Sequence, residues 1–253
     1  MVKLNSNILH ELREVCKDVA LMYPEPFRRH QIDDIERISF HAALLFRNGW
    51  RAQSVCDLGG GIGMFSPVCA KIGMRSILID DFEDVDISPR AEEVLEIVHR
   101  RLGVCVIRSS LACNPVQDID GGIDAFTCFE TLEHLPFSPR PFLKSAVEKM
   151  SAGGILVMSA PNCVDLKRRI DVLRGIDRWS SLEEWYFRVK FRGHVREMNP
   201  DDLKIIMEDL GLKRIEIFGK NWWGESLQIR LASSFIESMT SLCSTIYAVG
   251  FKI

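Results

Sequence analysis

Residues 55–65 read V-C-D-L-G-G-G-I-G-M-F, an apolar run that ends at an acid and continues into a glycine-rich loop. Gly59, Gly61 and Gly63 alternate along this loop, and glycine permits the positive φ that brings a backbone close to a ligand. A helix after the loop directs unpaired N–H groups and its positive dipole end to the same place. The stretch therefore predicts a buried strand, a turn and a helix around a small polar ligand.

The spacing of the glycines separates two kinds of ligand. A dinucleotide fingerprint requires glycine or alanine at the third position of G-x-G-x-x-G. Counted from Gly59 and Gly61, that position holds Met64, a long side chain where the helix must pack closely on the strand. The sequence therefore disfavours a nicotinamide cofactor, and a tight turn that binds nothing is the remaining alternative.

Two acids follow the next predicted strand. Residues 75–79 read R-S-I-L-I and precede Asp80 and Asp81. An acid about 20 residues after a glycine loop, at the end of the neighbouring parallel strand, accepts hydrogen bonds from both hydroxyls of a ribose. Asp80 is the first candidate and Asp81 the second, because a slip of one residue turns a strand side chain to the other face.

Predicted strands and helices alternate through residues 50–162, which indicates one α/β sheet with helices on both faces. Helices are predicted at residues 88–102 and 139–150, where Ser88-Pro89 begins the first and Gly153-Gly154 follows the second. The remaining strands are predicted at 104–107, 123–129, 155–159, 212–218 and 245–252.

Three motifs in this order resemble the class I S-adenosylmethionine-dependent methyltransferases. They are D-x-G-x-G-x-G at 57–63, F-T-C-F-E-T-L-E-H-L-P at 126–136, and S-A-G-G-I-L-V-M-S at 151–159 with P-N after it. The E-x-x-E-H after the fourth strand is similar to that of small-molecule members. The resemblance implies a Rossmann-like seven-stranded, mostly parallel sheet with helices on both faces and the last strand antiparallel. It also implies an N-terminal helical cap at 1–50 and a methyltransferase domain at 51–253.

The same resemblance implies S-adenosyl-L-methionine as the cofactor, with the loop around its methionine end and the acid of the motif facing its ammonium group. This chain departs from the family after the third strand, where Ser109, Ser110 and Leu111 stand instead of an acid for the adenine amino group. A serine or Asp118 remains as the alternative adenine contact. The predicted cofactor-binding residues are Asp57, Gly59, Gly60, Gly61, Gly63, Asp80, Asp81, Ser110, Leu111 and Phe129.

Glu130, Glu133 and His134 are the predicted catalytic residues. Their spacing of i, i+3 and i+4 puts them on one face if the segment is a helical turn. His134 suits a general base, because histidine has an unperturbed pKa of about 6.5. A resemblance to the magnesium sites of ubiquinone-pathway O-methyltransferases and small-RNA 2′-O-methyltransferases implies instead that Mg²⁺ or Mn²⁺ is bound by Glu130, Glu133, His134 and His194. A packed turn that binds no metal is the third interpretation.

Residues 163–197 differ in composition from the rest of the chain and are predicted to form a basic and aromatic helical insert. Between Lys167 and Arg196 there are nine Lys or Arg and four Asp or Glu, although the whole chain has a net charge of −3. Arginine binds phosphate and carboxylate through a planar fork. We therefore predict that the insert covers an anionic acceptor, with a solvated helix face as the alternative. The predicted substrate-binding residues are Arg168, Arg169, Arg192 and Trp185.

Composition narrows the function classes. The sequence has no run of about 18 apolar residues and no signal-type apolar core, which predicts a cytoplasmic protein without a membrane span. Its net negative charge disfavours nucleic acid as a general partner. A methyltransferase acting on a hydroxyl or other heteroatom of a small molecule is the preferred function. An RNA methyltransferase with a divalent metal and a non-catalytic cofactor-binding protein are the alternatives.

Overall fold

The computed structural model describes residues 5–47, 50–84, 88–176, 179–222 and 236–253. Asp177 and Arg178, which belong to the predicted insert, lie outside the described residues. No helix within the described ranges is long and apolar enough to cross a membrane. The cytoplasmic location stays a prediction.

Three helices and a small hairpin precede the central sheet. Asn5 begins the first helix, because its side chain accepts a hydrogen bond of 2.9 Å from the N–H of Asn7. Pro24 and Pro26 separate the first two helices, because proline has no N–H to donate to the hydrogen bonds of a helix interior. The elements are α1 (Ser6–Ala20), α2 (Phe27–Asp33), α3 (Ile35–Ala43), β1 (Phe46–Arg47) and β2 (Trp50–Arg51).

The central sheet has seven strands. They are β3 (Ser54–Leu58), β4 (Arg75–Asp80), β5 (Cys105–Arg108), β6 (Ile123–Phe129), β7 (Met150–Pro161), β8 (Lys213–Lys220) and β9 (Thr245–Phe251). Their order across the sheet is β5-β4-β3-β6-β7-β9-β8. The last strand, β9, runs antiparallel to both of its neighbours, whereas the pairs from β5 to β7 are parallel. The predicted fold class is therefore confirmed.

Helices pack on both faces of this sheet. The remaining ones are α4 (Phe65–Lys71), α5 (Ala91–Val94), α6 (Arg140–Lys149), α7 (Leu166–Leu173) and α8 (Pro200–Asp209). Side chains of β3 alternate between the two faces, as the pleat of a strand requires. Val55 joins the core formed with α1, α3 and α4, while Cys56 and Leu58 join the core formed with α6 and α8. Helices α1 and α3 share this core with the sheet. The predicted division into a cap at 1–50 and a domain at 51–253 stays a prediction.

Two predicted segments have a less regular form. The helix predicted at 88–102 is present as a chain of short turns around α5, including a wide π turn at Leu95–His99. The predicted insert contains α7 and a second π turn at Glu183–Phe187, and its described residues 188–197 have no helix.

The topology determines where a ligand site forms. Strands β3 and β6 are adjacent and parallel. After β3 the chain continues to β4 on one side of this pair, and after β6 it continues to β7 on the other side. Ligands in open parallel sheets collect at the carboxyl ends of the strands at such a switch point. The glycine loop after β3, Asp80 at the end of β4 and the E-x-x-E-H turn after β6 all lie at this edge.

Candidate active site

The glycine loop between β3 and α4 has one side packed and one side open. Gly59 and Gly61 have φ of 77° and 55°, and the Gly59 N–H donates to the carbonyl of Ile79 at 2.8 Å. A Cβ on Gly59 would lie 2.2 Å from the Thr131 side chain, whereas a Cβ on Gly61 would meet nothing within 4 Å. The loop also closes on itself, since the Gly63 N–H donates to the carbonyl of Gly60 at 3.2 Å. The open side at Gly61 is a cradle that a side chain would fill.

Asp57 lies beneath this loop. It is 3% exposed and accepts hydrogen bonds from Thr127 Oγ1 at 2.7 Å and Ser66 Oγ at 3.2 Å. Burial raises the pKa of Asp57 to about 6, although the two hydroxyl donors act in the opposite direction. These two bonds hold the carboxylate between β6 and α4, and its predicted contact with the ammonium group of a cofactor stays a prediction.

Gly60→Ala is expected to destabilise the protein by about 2 kcal/mol, which lowers Tm by about 5 °C. A Cβ at this position would lie 2.0 Å from Asp57 Oδ2, and Asp57 cannot move away without losing its two hydrogen bonds. Thermal unfolding measures the change. Gly121→Ala is the matched control, because its Cβ would lie 3.8 Å from the nearest atom. Equal Tm values for the two variants would contradict this packing.

Asp80 connects the loop to the end of β4. Its carboxylate accepts hydrogen bonds from the N–H of Gly61 at 3.0 Å and the N–H of Phe82 at 2.6 Å. Burial raises the pKa of Asp80, while both N–H donors and the charge of Arg192 act in the opposite direction. An ionised carboxylate has about four acceptor positions, so Asp80 retains acceptor capacity for two hydroxyl groups.

The other residues predicted for the cofactor have packing partners. Ser110 begins a short turn, and its Oγ accepts a hydrogen bond of 3.3 Å from the N–H of Ala112. Leu111 is 6% exposed and belongs to the core. The ring of Phe129 stacks on His41 at a centroid distance of 4.0 Å. Their contacts with a cofactor stay predictions, as does that of the exposed Asp118.

The turn Leu132–His134 after β6 carries two of the predicted catalytic residues. Glu133 is 1% exposed, its Oε2 has no hydrogen-bond partner among the described residues, and burial raises its pKa to about 7. The ring of His134 makes a hydrogen bond of 2.7 Å from Nδ1 to the backbone carbonyl of Arg192. Because a carbonyl only accepts, Nδ1 carries the hydrogen and Nε2 the lone pair in the neutral ring. Burial lowers the pKa of His134.

His194 joins these two residues from the insert. The possible ligand atoms of Glu133, His134 and His194 lie within 4.8 Å of one another. Backbone contact fixes this arrangement, since the N–H of Val195 donates to the carbonyl of Glu133 at 2.6 Å. His194 Nδ1 lies 2.5 Å from Glu197 Oε1, and this hydrogen bond raises the pKa of His194. We refer to Glu133, His134 and His194 as the Glu-His-His group.

Glu130 lies apart from the Glu-His-His group. Its carboxylate forms an ion pair with Arg37 of α3, and Arg37 also pairs with Asp34 at 2.7 Å. Glu130 has a φ of 49°, which is uncommon for a residue other than glycine. The sequence interpretation placed Glu130 and Glu133 in one helical turn, but the positive φ turns the chain before that turn begins. The structure thus brings together three of the four predicted metal ligands.

The three arginines predicted to bind an acceptor have partners within the protein. Arg168 forms ion pairs with Glu197 and, at 3.3 Å, with Asp165. Arg192 Nη2 lies 3.2 Å from a carboxylate oxygen of Asp81 and 3.2 Å from one of Glu83, both of which follow β4. Arg169 donates to the backbone carbonyl of Val164 at 2.6 Å. Because these contacts use much of their hydrogen-bonding capacity, the acceptor role of the three arginines stays a prediction.

Two neighbouring cavities lie at the insert. The first, of about 390 Å³, is lined by His134, Arg168, Arg192 and His194 among others. The second, of about 410 Å³, is lined by aromatic side chains that include Trp185, which is 64% exposed. His134 lines the first cavity and His194 lines both, so two members of the Glu-His-His group border this space.

Sequence reasoning did not identify Arg37 or Glu197. Glu197 follows His194 by three residues. A carboxylate this close in sequence to a histidine could have been predicted to bind and orient its ring. Arg37 gave no signal, because its pairing with Glu130 spans 93 residues of sequence.

Comparison with known proteins gives one family. Residues 10–217 match the family described as "Methyltransferase domain". A curated relative from Cupriavidus pinatubonensis, named ubiquinone biosynthesis O-methyltransferase, is 24% identical over 69% of this chain and 66% of its own length. A mitochondrial protein of the same name from Schizosaccharomyces pombe is 30% identical over 50% of this chain and 44% of its own length. The chain thus spans between about half and two thirds of these relatives.

A solved structure has the same fold. The SAM-dependent methyltransferase from Archaeoglobus fulgidus has a TM-score of 0.56 and is 20% identical, covering 88% of this chain and 94% of that one.

Proposed function

The chain belongs to the methyltransferase-domain family of S-adenosylmethionine-dependent enzymes, and from this membership we propose that it methylates a hydroxyl group of a small molecule. The observation that carries the choice of a hydroxyl is the hydrogen bond between His134 Nδ1 and the Arg192 carbonyl. This bond leaves the lone pair of a neutral His134 on Nε2, and His134 lines the first cavity. A hydroxyl is a poor nucleophile and needs such a base.

The loop side of the site fits S-adenosyl-L-methionine. When bound, the cofactor supplies a methyl group on a sulfonium centre. Gly61 provides open space for the methionine portion, and a Cβ there would fill it. Asp80 has acceptor positions left for the ribose hydroxyls, while its bonds to the N–H groups of Gly61 and Phe82 keep the carboxylate in place. Fixing the reacting groups in line accounts for a large part of the acceleration of a methyl transfer.

As the alternative to His134 acting as a base, we propose that the Glu-His-His group holds Mg²⁺ or Mn²⁺, because the one lone pair of a neutral His134 serves either role but not both. The buried Oε2 of Glu133 has no partner in the described part of the chain, and a buried carboxylate oxygen without a partner is costly unless a cation or donor joins it. Carboxylate and imidazole are ligands that suit Mn²⁺, and Mg²⁺ binds through carboxylates and water. A divalent ion in such a site holds an acceptor oxygen and lowers its pKa.

The RNA-methyltransferase alternative has less support. It required that the basic insert face a nucleic-acid backbone. Arg168, Lys190 and Arg192 form ion pairs within the protein, which reduces the positive charge available to phosphate groups.

Calorimetry and a transfer assay test the proposed function. The protein is expected to bind S-adenosylhomocysteine, and Asp80→Asn is expected to weaken this binding by about 1.5 to 3 kcal/mol, since a charge-assisted hydrogen bond is lost. Asp120→Asn, an exposed acid in the loop before β6, is the control and should bind like the wild type.

A panel of phenols and alcohols, incubated with radiolabelled S-adenosylmethionine and examined by mass spectrometry, identifies the acceptor atom. Methylation on nitrogen or carbon, or binding of NAD in place of S-adenosylhomocysteine, would overturn the proposal.

A further inference from the structure

Arg192 contacts both sides of the candidate active site. Its Nη2 lies 3.2 Å from Asp81 Oδ2 and 3.2 Å from Glu83 Oε2, in the segment that follows β4. Its backbone carbonyl accepts the hydrogen bond of 2.7 Å from His134 Nδ1, after β6. One residue of the insert therefore joins the acids beside the proposed ribose site to the proposed base.

The backbone around Arg192 depends on such contacts. Described residues 188–197 contain no helix and no extended strand, so regular secondary structure does not fix the carbonyl of Arg192. The contacts that hold this segment include the ion pair of Lys190 with Glu83, the contacts of the Arg192 side chain, the bond from Ser180 Oγ to the His194 carbonyl at 3.2 Å, and the bond from the Val195 N–H to Glu133. Of these, the side chain of Arg192 lies nearest in sequence to the carbonyl that His134 uses.

The geometry points to a positioning role for Arg192, in which its side chain holds Asp81 so that its carbonyl keeps His134 in the tautomer with hydrogen on Nδ1. The other tautomer would put hydrogen on Nε2 and remove the lone pair that accepts a proton from a hydroxyl. The inference deepens the proposed function and rests on it for the role of His134. It replaces the predicted contact between Arg192 and an anionic acceptor, because the guanidinium is already paired with two acids.

Arg192 also supports the cofactor side of the site. It is half-buried, its charge favours the ionised form of Asp80, and burial opposes that form. Only an ionised Asp80 accepts from both ribose hydroxyls with all of its lone pairs.

The first test reads the tautomer directly. Nitrogen-15 NMR of the histidine rings, at a pH where His134 is neutral, distinguishes hydrogen on Nδ1 from hydrogen on Nε2, and His134→Gln assigns the signal. The wild type is expected to show the Nδ1–H form, and Arg192→Gln a mixture of both forms. Lys190→Gln is the matched control, because Lys190 pairs with Glu83 in the same segment and, within the described part of the chain, forms no ion pair or hydrogen bond with Asp81 or His134. It should keep the wild-type pattern.

The second test separates positioning from acceptor binding. Arg192→Gln is expected to lower kcat about tenfold, the lower end of the range for residues that orient a functional histidine, and to change the acceptor KM less than about twofold. Arg192→Lys keeps the charge and should recover most of kcat. Asp81→Asn should lower kcat to the same extent, and the double variant should lower it no further, as expected for two residues acting through one contact.

Two results would overturn the role of Arg192. One is an unchanged Nδ1–H form of His134 in Arg192→Gln, and the other is a raised acceptor KM with unchanged kcat, which would restore the anion-binding interpretation. Failure of the proposed function has a different signature. A wild-type protein that methylates no hydroxyl would refute that function, while the NMR comparison would still decide whether Arg192 sets the tautomer.

Discussion

Replacing His134 by alanine is expected to lower kcat for methyl transfer to a hydroxyl about 10³-fold, within the range for loss of a general base. The ring lies at the wall of the first cavity and has its Nε2 lone pair directed by the bond from Nδ1 to the Arg192 carbonyl. The affinity for S-adenosylhomocysteine should remain close to that of the wild type, because the glycine loop and Asp80 do not contact this ring. Steady-state kinetics and calorimetry measure the two effects separately.

The control for this variant is His10→Ala, which removes an exposed histidine of α1 and should leave kcat unchanged. Treatment with a chelator then separates the two roles of His134. If the Glu-His-His group binds a metal, the chelator abolishes activity, Mn²⁺ restores it, and Glu133→Gln and His194→Ala lose activity to a similar extent. If His134 acts alone, the chelator has no effect and Glu133→Gln retains most of kcat. Full activity in His134→Ala would refute both roles.

The sheet and the glycine loop were predictable because their signals are local. Three signals carry the prediction: the apolar run before Asp57, the alternating glycines, and the acids after the next strand. Each of them occupies only a few consecutive residues. Hydrophobic periodicity and turn residues report on such short segments. The predicted seven-stranded sheet with an antiparallel last strand is confirmed by the strand order.

The side-chain partners were not predictable because they join distant parts of the chain. The contact between Arg192 and Asp81 spans 111 residues, and that between Arg37 and Glu130 spans 93. A basic composition predicted an anion site in the insert, but composition does not report which arginines pair within the fold. The positive φ of Glu130 was equally hidden, since only glycine, asparagine and aspartate signal that conformation with any regularity.

Replacing Gly61 by valine is expected to weaken the binding of S-adenosylhomocysteine at least about 100-fold, which corresponds to about 2.7 kcal/mol. The space next to the Gly61 α-carbon is open, and a branched side chain would occupy the volume that the methionine portion of the cofactor is proposed to take. The N–H of Gly61 also donates to Asp80 at 3.0 Å, so a shift of the loop would move the ribose-binding carboxylate. Calorimetry measures the loss of affinity.

Backbone strain must be separated from this steric effect. Gly61 has a φ of 55°, and a side chain in that region costs roughly 1 to 2 kcal/mol. Gly122→Val is the matched control, because Gly122 has a φ of 81°, a Cβ there would also meet nothing within 4 Å, and the residue lies in the turn that leads into β6, away from the loop. Both variants should lose a similar amount of thermal stability, whereas Gly61→Val alone should lose cofactor binding. An equal affinity in the two variants would show that the cofactor does not approach Gly61, and the open side of the loop would then not be the methionine site.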